Sequence, residues 1–364
     1  MSSLFQLTYV RVSLALALLA LSYPLGQLTL FAFTSANSNS TEIKFVQINK
    51  GQSPNDITKL LGSLGLIKDS KNFIWLGRLT RQWKHMKAGE YALSASIPPI
   101  EIFSILTSGI SAAHPFTVRE GENMYEIAEE LETKGLGSQE RFLSLCKDSQ
   151  FIQATGHFSN DQIPVSLEGY LYPSTYFFNR TQTESDMIKQ MVKHFFLSWR
   201  KKEEDRSQEL HMTRHEIITL ASIIEKETGA PEERALISSV FHNRLSKNMR
   251  LQSDPTTIYG MWDRYKGKIH KRDLSSKNEF NTYYVDALPV GPIGNPGQEA
   301  IQAALFPKSS NYYYFVSHND GTHQFSSTIQ EHNHAVRTFQ LDPKAREGKS
   351  WRDHLKRPAL VNSH

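Results

Sequence analysis

Two acids on one short helix are the residues of this 364-residue chain best placed to do chemistry. Thr213-Arg214-His215-Glu216 has the spacing of a capping box, and the apolar run that follows through Ile224 predicts a helix. At about 100° per residue, Ile217, Ala221, Ile224 and Thr228 share one side, with Ile218 and Leu220 on its flanks. Glu225 then projects between Ala221 and Ile218, Glu227 beside Leu220 and Ile223, and Lys226 into solvent. A carboxyl against isoleucines is poorly solvated, so its charged form is disfavoured and its pKa rises toward that of an acid able to protonate a leaving group near neutral pH. Glu225 and Glu227 are both candidate general acids. The competing reading is structural, with either carboxylate paired to Arg234, Arg244 or Arg250.

The flanking segments supply polar groups suited to a carbohydrate. Asn243-Arg244-Leu245, Gln252-Ser253-Asp254-Pro255 and Asn281-Thr282-Tyr283 interleave amides, acids and tyrosines, the types that bond hydroxyls and stack on pyranose faces. Prolines and glycines from Leu288 to Gly297, including Asn295, fix a rigid loop before a helix at Glu299 to Leu305. His323, in Gly321-Thr322-His323-Gln324-Phe325, lines the cleft or holds a loop. His318, His323, His332 and His334 are close in sequence, but none has HExxH spacing, and no metal or cofactor is expected. No Gly-x-Ser-x-Gly elbow occurs, and Cys146, the only cysteine, reads as a buried helical thiol, which excludes an intramolecular disulfide and a cysteine zinc cluster.

These residues need a scaffold, and the length gives a prior of two to three domains at about 150 residues each. With 41 Lys+Arg against 37 Asp+Glu the net charge is +4, too even for electrostatics alone to suggest a nucleic-acid binder, and no nucleic-acid partner is expected. The charge is unevenly spread, because Arg11 is the only formal side-chain charge before Glu42. Val12 to Phe33 carries no Asp, Glu, Lys, Arg or His and as a helix would run about 33 Å, enough to cross a hydrocarbon core. Residues 12–33 are expected to anchor the chain in the inner membrane, with 1–11 cytoplasmic, 34–42 a linker and the bulk beyond the membrane. A cleaved secretory signal is the alternative, although its apolar region would be shorter.

From Ile43 a strand, a glycine turn at Lys50-Gly51 and a helix entered at Ser53-Pro54 follow one another. The pattern recurs in constant register: Val46, Ile48, Gly51, Ile57, Leu61, Gly65 and Leu66 align with Phe116, Val118, Gly121, Ile127, Leu131, Gly135 and Leu136. Between the copies a helix (Phe73 to Leu79), a strand (Gly89 to Leu93) and a proline-started helix (Pro98 to Leu106) are expected. Residues 43–155 thus form a small α/β module that resembles the LysM-like fold, serving as a glycan grip or as a spacer. A catalytic domain over 156–341 and a basic tail over 342–364 complete an α+β chain: an anchor helix, the module, and a mixed α/β domain with the acid on a helix.

Several ordered blocks together are similar to the endolytic murein transglycosylase (MltG, YceG-like) family. They are Leu220-Ala221-Ser222-Ile223-Ile224-Glu225-Lys226-Glu227-Thr228, Asn243-Arg244-Leu245, Gln252-Ser253-Asp254-Pro255-Thr256, Ser166 to Tyr176 with Glu168, and Pro292 to Gly297. Val290 and Tyr313 depart from the family pattern. The resemblance implies that Glu225 is the catalytic acid of a peptidoglycan lytic transglycosylase. It would protonate the oxygen between N-acetylmuramic acid and N-acetylglucosamine, then take the proton of the muramoyl C6 hydroxyl as that hydroxyl closes a 1,6-anhydro ring. Glu168, Gln252, Asp254 or Asn281 would stabilise the oxocarbenium-like charge, with Glu227 second in line as acid. Partners implied are glycan strands, the membrane and cell-wall synthases of the penicillin-binding type. Two rivals stand beside it: a tethered glycan-binding scaffold without catalysis, and a hydrolase using Asp254 to activate water.

Overall fold

The computed structural model describes residues 22–110, 112–158, 163–227 and 230–341. The tail at 342–364, the N-terminal residues 1–11 and the first part of the expected anchor, residues 12–21, lie outside them. Residues 22–33 form helix α1. Among the described residues no helix is long and apolar enough to cross a membrane.

By compactness the chain divides into two units, residues 1–115 with 177–182, and residues 116–176 with 183–364. In the first, β1 (Ile43–Ile48) leads through α2 (Pro54–Ser63) and α3 (Ser70–Leu79) to β2 (Gly89–Ser94), which pairs antiparallel with β1 from Ile43 opposite Ser94 to Ile48 opposite Gly89. Helix α4 (Pro99–Ser108) follows. Ser53 caps α2 through the Asp56 N–H and Pro54 opens it, where the missing donor costs nothing. Val46, Ile48, Ile57, Leu61, Phe73, Leu93 and Phe103 close one core, with the Phe73 and Phe103 rings stacked at 4.3 Å, and Ala32 of α1 is buried in it.

Strand β3 (His114–Val118) pairs with β4 (Ser174–Phe178), and the division between the units runs through both strands. Between them lie α5 (Met124–Thr133), α6 (Gln139–Lys147) and α7 (Ser149–Ala154). The second βα copy therefore forms as its register predicts, and it belongs to the second unit. Cys146 is fully buried in α6. After β4 come α8 (Glu184–Ser198), α9 (Lys201–Glu209), α10 (Arg214–Glu227), α11 (Arg234–Ser246), α12 (Asp254–Gly260), α13 (Lys271–Leu274) and α14 (Gln298–Leu305). An antiparallel hairpin of β5 (Tyr314–Ser317) and β6 (His323–Ser326), then α15 (Ile329–Val336), finishes the described chain. The result is a mixed α+β architecture, rich in helices with three two-stranded sheets among the described residues.

The candidate acids sit on α10. Its N-terminus closes with the expected capping box: the Thr213 N–H donates to Glu216 at 2.7 Å, and the Glu216 N–H donates to the Thr213 hydroxyl at 3.2 Å. The expected apolar stripe is corrected here. Every residue from Ile217 to Ile224 is buried, so α10 is enclosed on all sides and the acids emerge at its C-terminal end.

Candidate functional site

A cavity of about 1480 Å³ opens where α10 ends, and its lining includes Glu225, Glu227, Asp254 and His323 among the residues anticipated from sequence. Glu225 has a side chain only 7% exposed, yet it faces the cavity. One carboxylate oxygen accepts from the Arg234 guanidinium at 3.3 Å, the other from the Gly297 N–H at 3.0 Å. Arg234 also pairs with Glu299. The structural pairing weighed for this acid thus exists, with Arg234 as partner, and it is compatible with chemistry.

Glu227, two residues on, is treated differently by its surroundings. Burial raises its pKa to about 7, aided by the negative charge of Asp254, while a hydrogen bond from the Ser253 hydroxyl and the charge of Arg244 oppose the rise. A carboxyl poised near neutrality beside one fixed by a guanidinium makes two acids with different environments on one helix end. Asp254, at the first position of α12, accepts a hydrogen bond of 2.7 Å from the Tyr283 hydroxyl. Tyr283 therefore reaches the cavity through Asp254, and burial pushes its phenol upward. His323 does both things weighed for it: it lines the cavity, and its Nδ1 lies 2.7 Å from Glu233, whose other oxygen accepts its backbone N–H at 3.1 Å.

The remaining anticipated residues face inward or away. Glu168 is 1% exposed and holds three donors: the Met124 N–H that starts α5, the Tyr259 hydroxyl at 2.9 Å and the Asn295 amide at 3.0 Å. Burial lifts its pKa to about 7 despite those bonds. Asn295 spends its amide on Glu168 and the Glu122 carbonyl and its oxygen on the Leu171 N–H, tying three segments together. Asn281 holds the carbonyls of Leu274 and Ser276 and accepts from Thr257. Asn243 bonds the carbonyls of Ser310 and Tyr312, and Arg244 those of Tyr313, Arg250 and Leu251. Gln252 is exposed, with a left-handed φ of 51°, and does not line the cavity. Glu168, Asn295, Asn281, Asn243 and Arg244 tie together the loops around the cavity, and none of the five lines it.

Several cavity residues escaped the sequence reading, and Glu120 is the one that touches the Glu225 surroundings most directly. Glu120 stands at the glycine turn between β3 and α5, and its carboxyl packs against Gly297, where any Cβ would collide with it. Gly297 is thus held between two acids, its N–H on Glu225 and its Cα against Glu120. Partial burial and the charge of Glu225 raise the Glu120 pKa, with Arg234 opposing. An acid beside the glycine of a repeated strand turn was the available signal, since the first copy has Lys50 at that point.

The fold is α+β, and the carboxyl-bearing end of an enclosed helix borders a broad cavity. The model of the YceG-like family matches residues 46–338, and the chain belongs to that family. It is 33% identical over 307 residues to an endolytic murein transglycosylase of Bacillus subtilis, which aligns over 81% of this chain and 84% of that protein. A protein of the same name from Streptococcus pneumoniae is 27% identical over 85% of this chain, which spans 61% of that longer relative. The crystal structure of a yceG-like protein from Listeria monocytogenes superposes with a TM-score of 0.54 at 32% identity, covering 81% of this chain and 99% of that one.

Proposed function

We propose that the protein is an endolytic peptidoglycan lytic transglycosylase, with Glu225 as its acid and base. The observation that carries this reading is the position of Glu225, on the cavity and fixed by Arg234 and the Gly297 N–H. Protonated Glu225 gives its proton to the oxygen between N-acetylmuramic acid and N-acetylglucosamine as the C1–O bond breaks. The C6 hydroxyl of the same muramoyl residue then bonds to C1, and its proton returns to Glu225. No water is consumed, the product is a 1,6-anhydro end, and the acid is regenerated. Because the nucleophile is part of the substrate, holding the ring in place does much of the work. Glu227, with its raised pKa, is the second candidate for the acid. The names of the relatives support the substrate class.

The anchor belongs to the same proposal. The uncharged stretch 12–33 supports a single membrane span, and Tyr23, Leu25, Leu30 and Phe33 of α1 are exposed apolar residues. An anchored enzyme would work outside the cytoplasm, within reach of the synthases that extend the strands. The order β1–α2–α3–β2, with antiparallel strands, supports the LysM-like reading over the first half of residues 43–155.

Digestion of purified uncrosslinked glycan, followed by mass spectrometry, tests the reaction. Anhydro ends are expected from the native protein, and Glu225→Gln should lower their release by about a thousandfold or more. Products heavier by one water would establish a hydrolase, and no new ends would establish a scaffold. Full activity of Glu225→Gln with loss in Glu227→Gln would move the acid to Glu227.

A further inference from the structure

A second, smaller cavity of about 420 Å³ lies beside the first, and Tyr259 and Trp262 line both. Its wall is an ordered stack. The Lys147 ammonium sits 4.8 Å from the centre of the Tyr125 ring and donates to that residue's hydroxyl at 3.2 Å. Trp262 lies on Tyr125 with ring centres 5.8 Å apart and planes 15° from parallel. Phe280 packs edge-on against Tyr259 at 4.8 Å. The indole is therefore held in one orientation by a neighbour that is itself held by a cation, which is how a rigid aromatic platform is built. Asn278, on the same wall, is consumed internally, donating to the Gly260 carbonyl and accepting from the Phe280 N–H. Lys147, Asp263 and Arg264 bring charged groups to the same wall.

We propose that this cavity is a second glycan subsite, holding an N-acetylated sugar of the same strand that is cut at Glu225. The proposal rests on the transglycosylase reading above. A pyranose presents C–H groups on its faces and hydroxyl and carbonyl oxygens at its rim, which match an aromatic platform edged by ammonium, guanidinium and carboxylate groups. The volume lies within the range of about 300–1,000 Å³ in which pockets hold compact organic ligands. An enzyme that cuts within a strand must grip it away from the scissile bond, and the shared wall of Tyr259 and Trp262 lets one strand serve both cavities. Binding energy gained at this remote point favours long strands over short ones.

Arg264 is exposed and lines the smaller cavity and not the reaction cavity, so its replacement separates the two. Binding of long uncrosslinked strands and of a tetrasaccharide is measured with the full chain carrying Glu225→Gln, which does not consume the ligand, and turnover is measured without that change. Tyr125→Ala should weaken binding of long strands and raise their KM about fivefold or more, with a smaller loss for the tetrasaccharide, because Trp262, which rests on Tyr125, lines both cavities. The exposed Arg264→Ala should act in the same direction by about twofold, and it serves where Tyr125→Ala lowers thermal stability. Equal weakening for both lengths, or none for the long strands, overturns the subsite. Failure of the transglycosylase reading would show separately, as absent turnover in the native protein, while the binding comparison would still decide the subsite.

Discussion

The first βα copy turns at Lys50-Gly51 and the second at Glu120-Gly121, with the two glycines at φ of 80° and 79°. The helices that follow begin at Pro54 and at Met124, and both end before a left-handed glycine, Gly65 or Gly135. Backbone and core positions are shared; the surroundings of the turns are not. A Cβ on Gly51 would meet nothing within 4 Å, whereas one on Gly121 would lie 3.4 Å from Glu225 Cγ. The Gly121 N–H donates to the Asn295 carbonyl at 2.8 Å, and the Gly121 carbonyl lies where a Cβ on Gly294 would go. The first helix needs no partner for its first amide, because proline has none, while the second gives its first N–H to buried Glu168. The same element thus serves as free-standing scaffold in one place and as a wall of the reaction cavity in the other.

The sharpest way to break this contrast is at Gly297, which joins Glu120 of the second copy to Glu225. Gly297→Ala places a methyl in the Glu120 carboxyl and must displace either that acid or the N–H that binds Glu225. A shift of about 1 Å at such a position costs about a hundredfold in rate. Release of anhydro ends should fall by that order while thermal unfolding changes far less. Unaltered turnover would show that the Gly297 contact to Glu225 is dispensable.

Glu168 is the next test, because it is the tie that only the second copy has. Glu168→Gln keeps the shape but turns one acceptor oxygen into a donor among the Met124, Tyr259 and Asn295 donors. The expected cost is about 1–3 kcal/mol of stability, read from denaturant unfolding. The carboxyl binds its proton near pH 7 when folded and near 4.5 otherwise, so between these values the folded chain carries the extra proton. Its contribution is complete below about 4.5 and is lost as pH rises through about 7. Glu168→Gln should therefore flatten the decline of stability across that window. Glu227 titrates in the same direction, so part of the slope should remain.

Much of this contrast is legible in the sequence, and the illegible part has a physical reason. The register of the two copies, the capping box before α10 and the glycine turns are local signals, and they stand in the fold where they were expected. The two faces of α10 were not separable, because the far side is covered by α14, which is remote in sequence. Asn281 and Glu168 read as groups that stabilise charge at the reaction, and Asn295 as part of a rigid loop, since a polar side chain in a loop gives no sign of which side it will face. Their donors and acceptors are used up by carbonyls and amides from distant segments. Glu120 was overlooked for the converse reason: a single acid in a turn resembles any solvated surface charge until Gly297 is brought against it.

The two glycines allow the comparison to be made residue for residue. Alanine at a left-handed position is strained, so Gly51→Ala and Gly121→Ala should each cost about 1–2 kcal/mol of stability. Gly51→Ala adds nothing further. Gly121→Ala also puts a methyl in contact with the Glu225 side chain, at 3.4 Å from its Cγ, and should lower activity more than Gly51→Ala does under conditions where both variants remain folded. Equal activities would mean that the wall can give way without disturbing the acid.

The smallest effect is expected at Pro54, which starts the helix of the first copy with a covalent ring in place of an amide tie. Pro54→Ala restores a backbone N–H at the first position of α2, where the helix has no carbonyl to offer it and water can take it. Folded-state contacts change little, since Pro54 is exposed and Ser53 still caps the helix through Asp56. The loss acts through the unfolded chain, which gains conformational freedom, and amounts to about 0.4–1 kcal/mol. Turnover of glycan should be unchanged. A drop in turnover with Pro54→Ala would show that the first copy does more than act as a scaffold, and the contrast between the two copies would have to be redrawn.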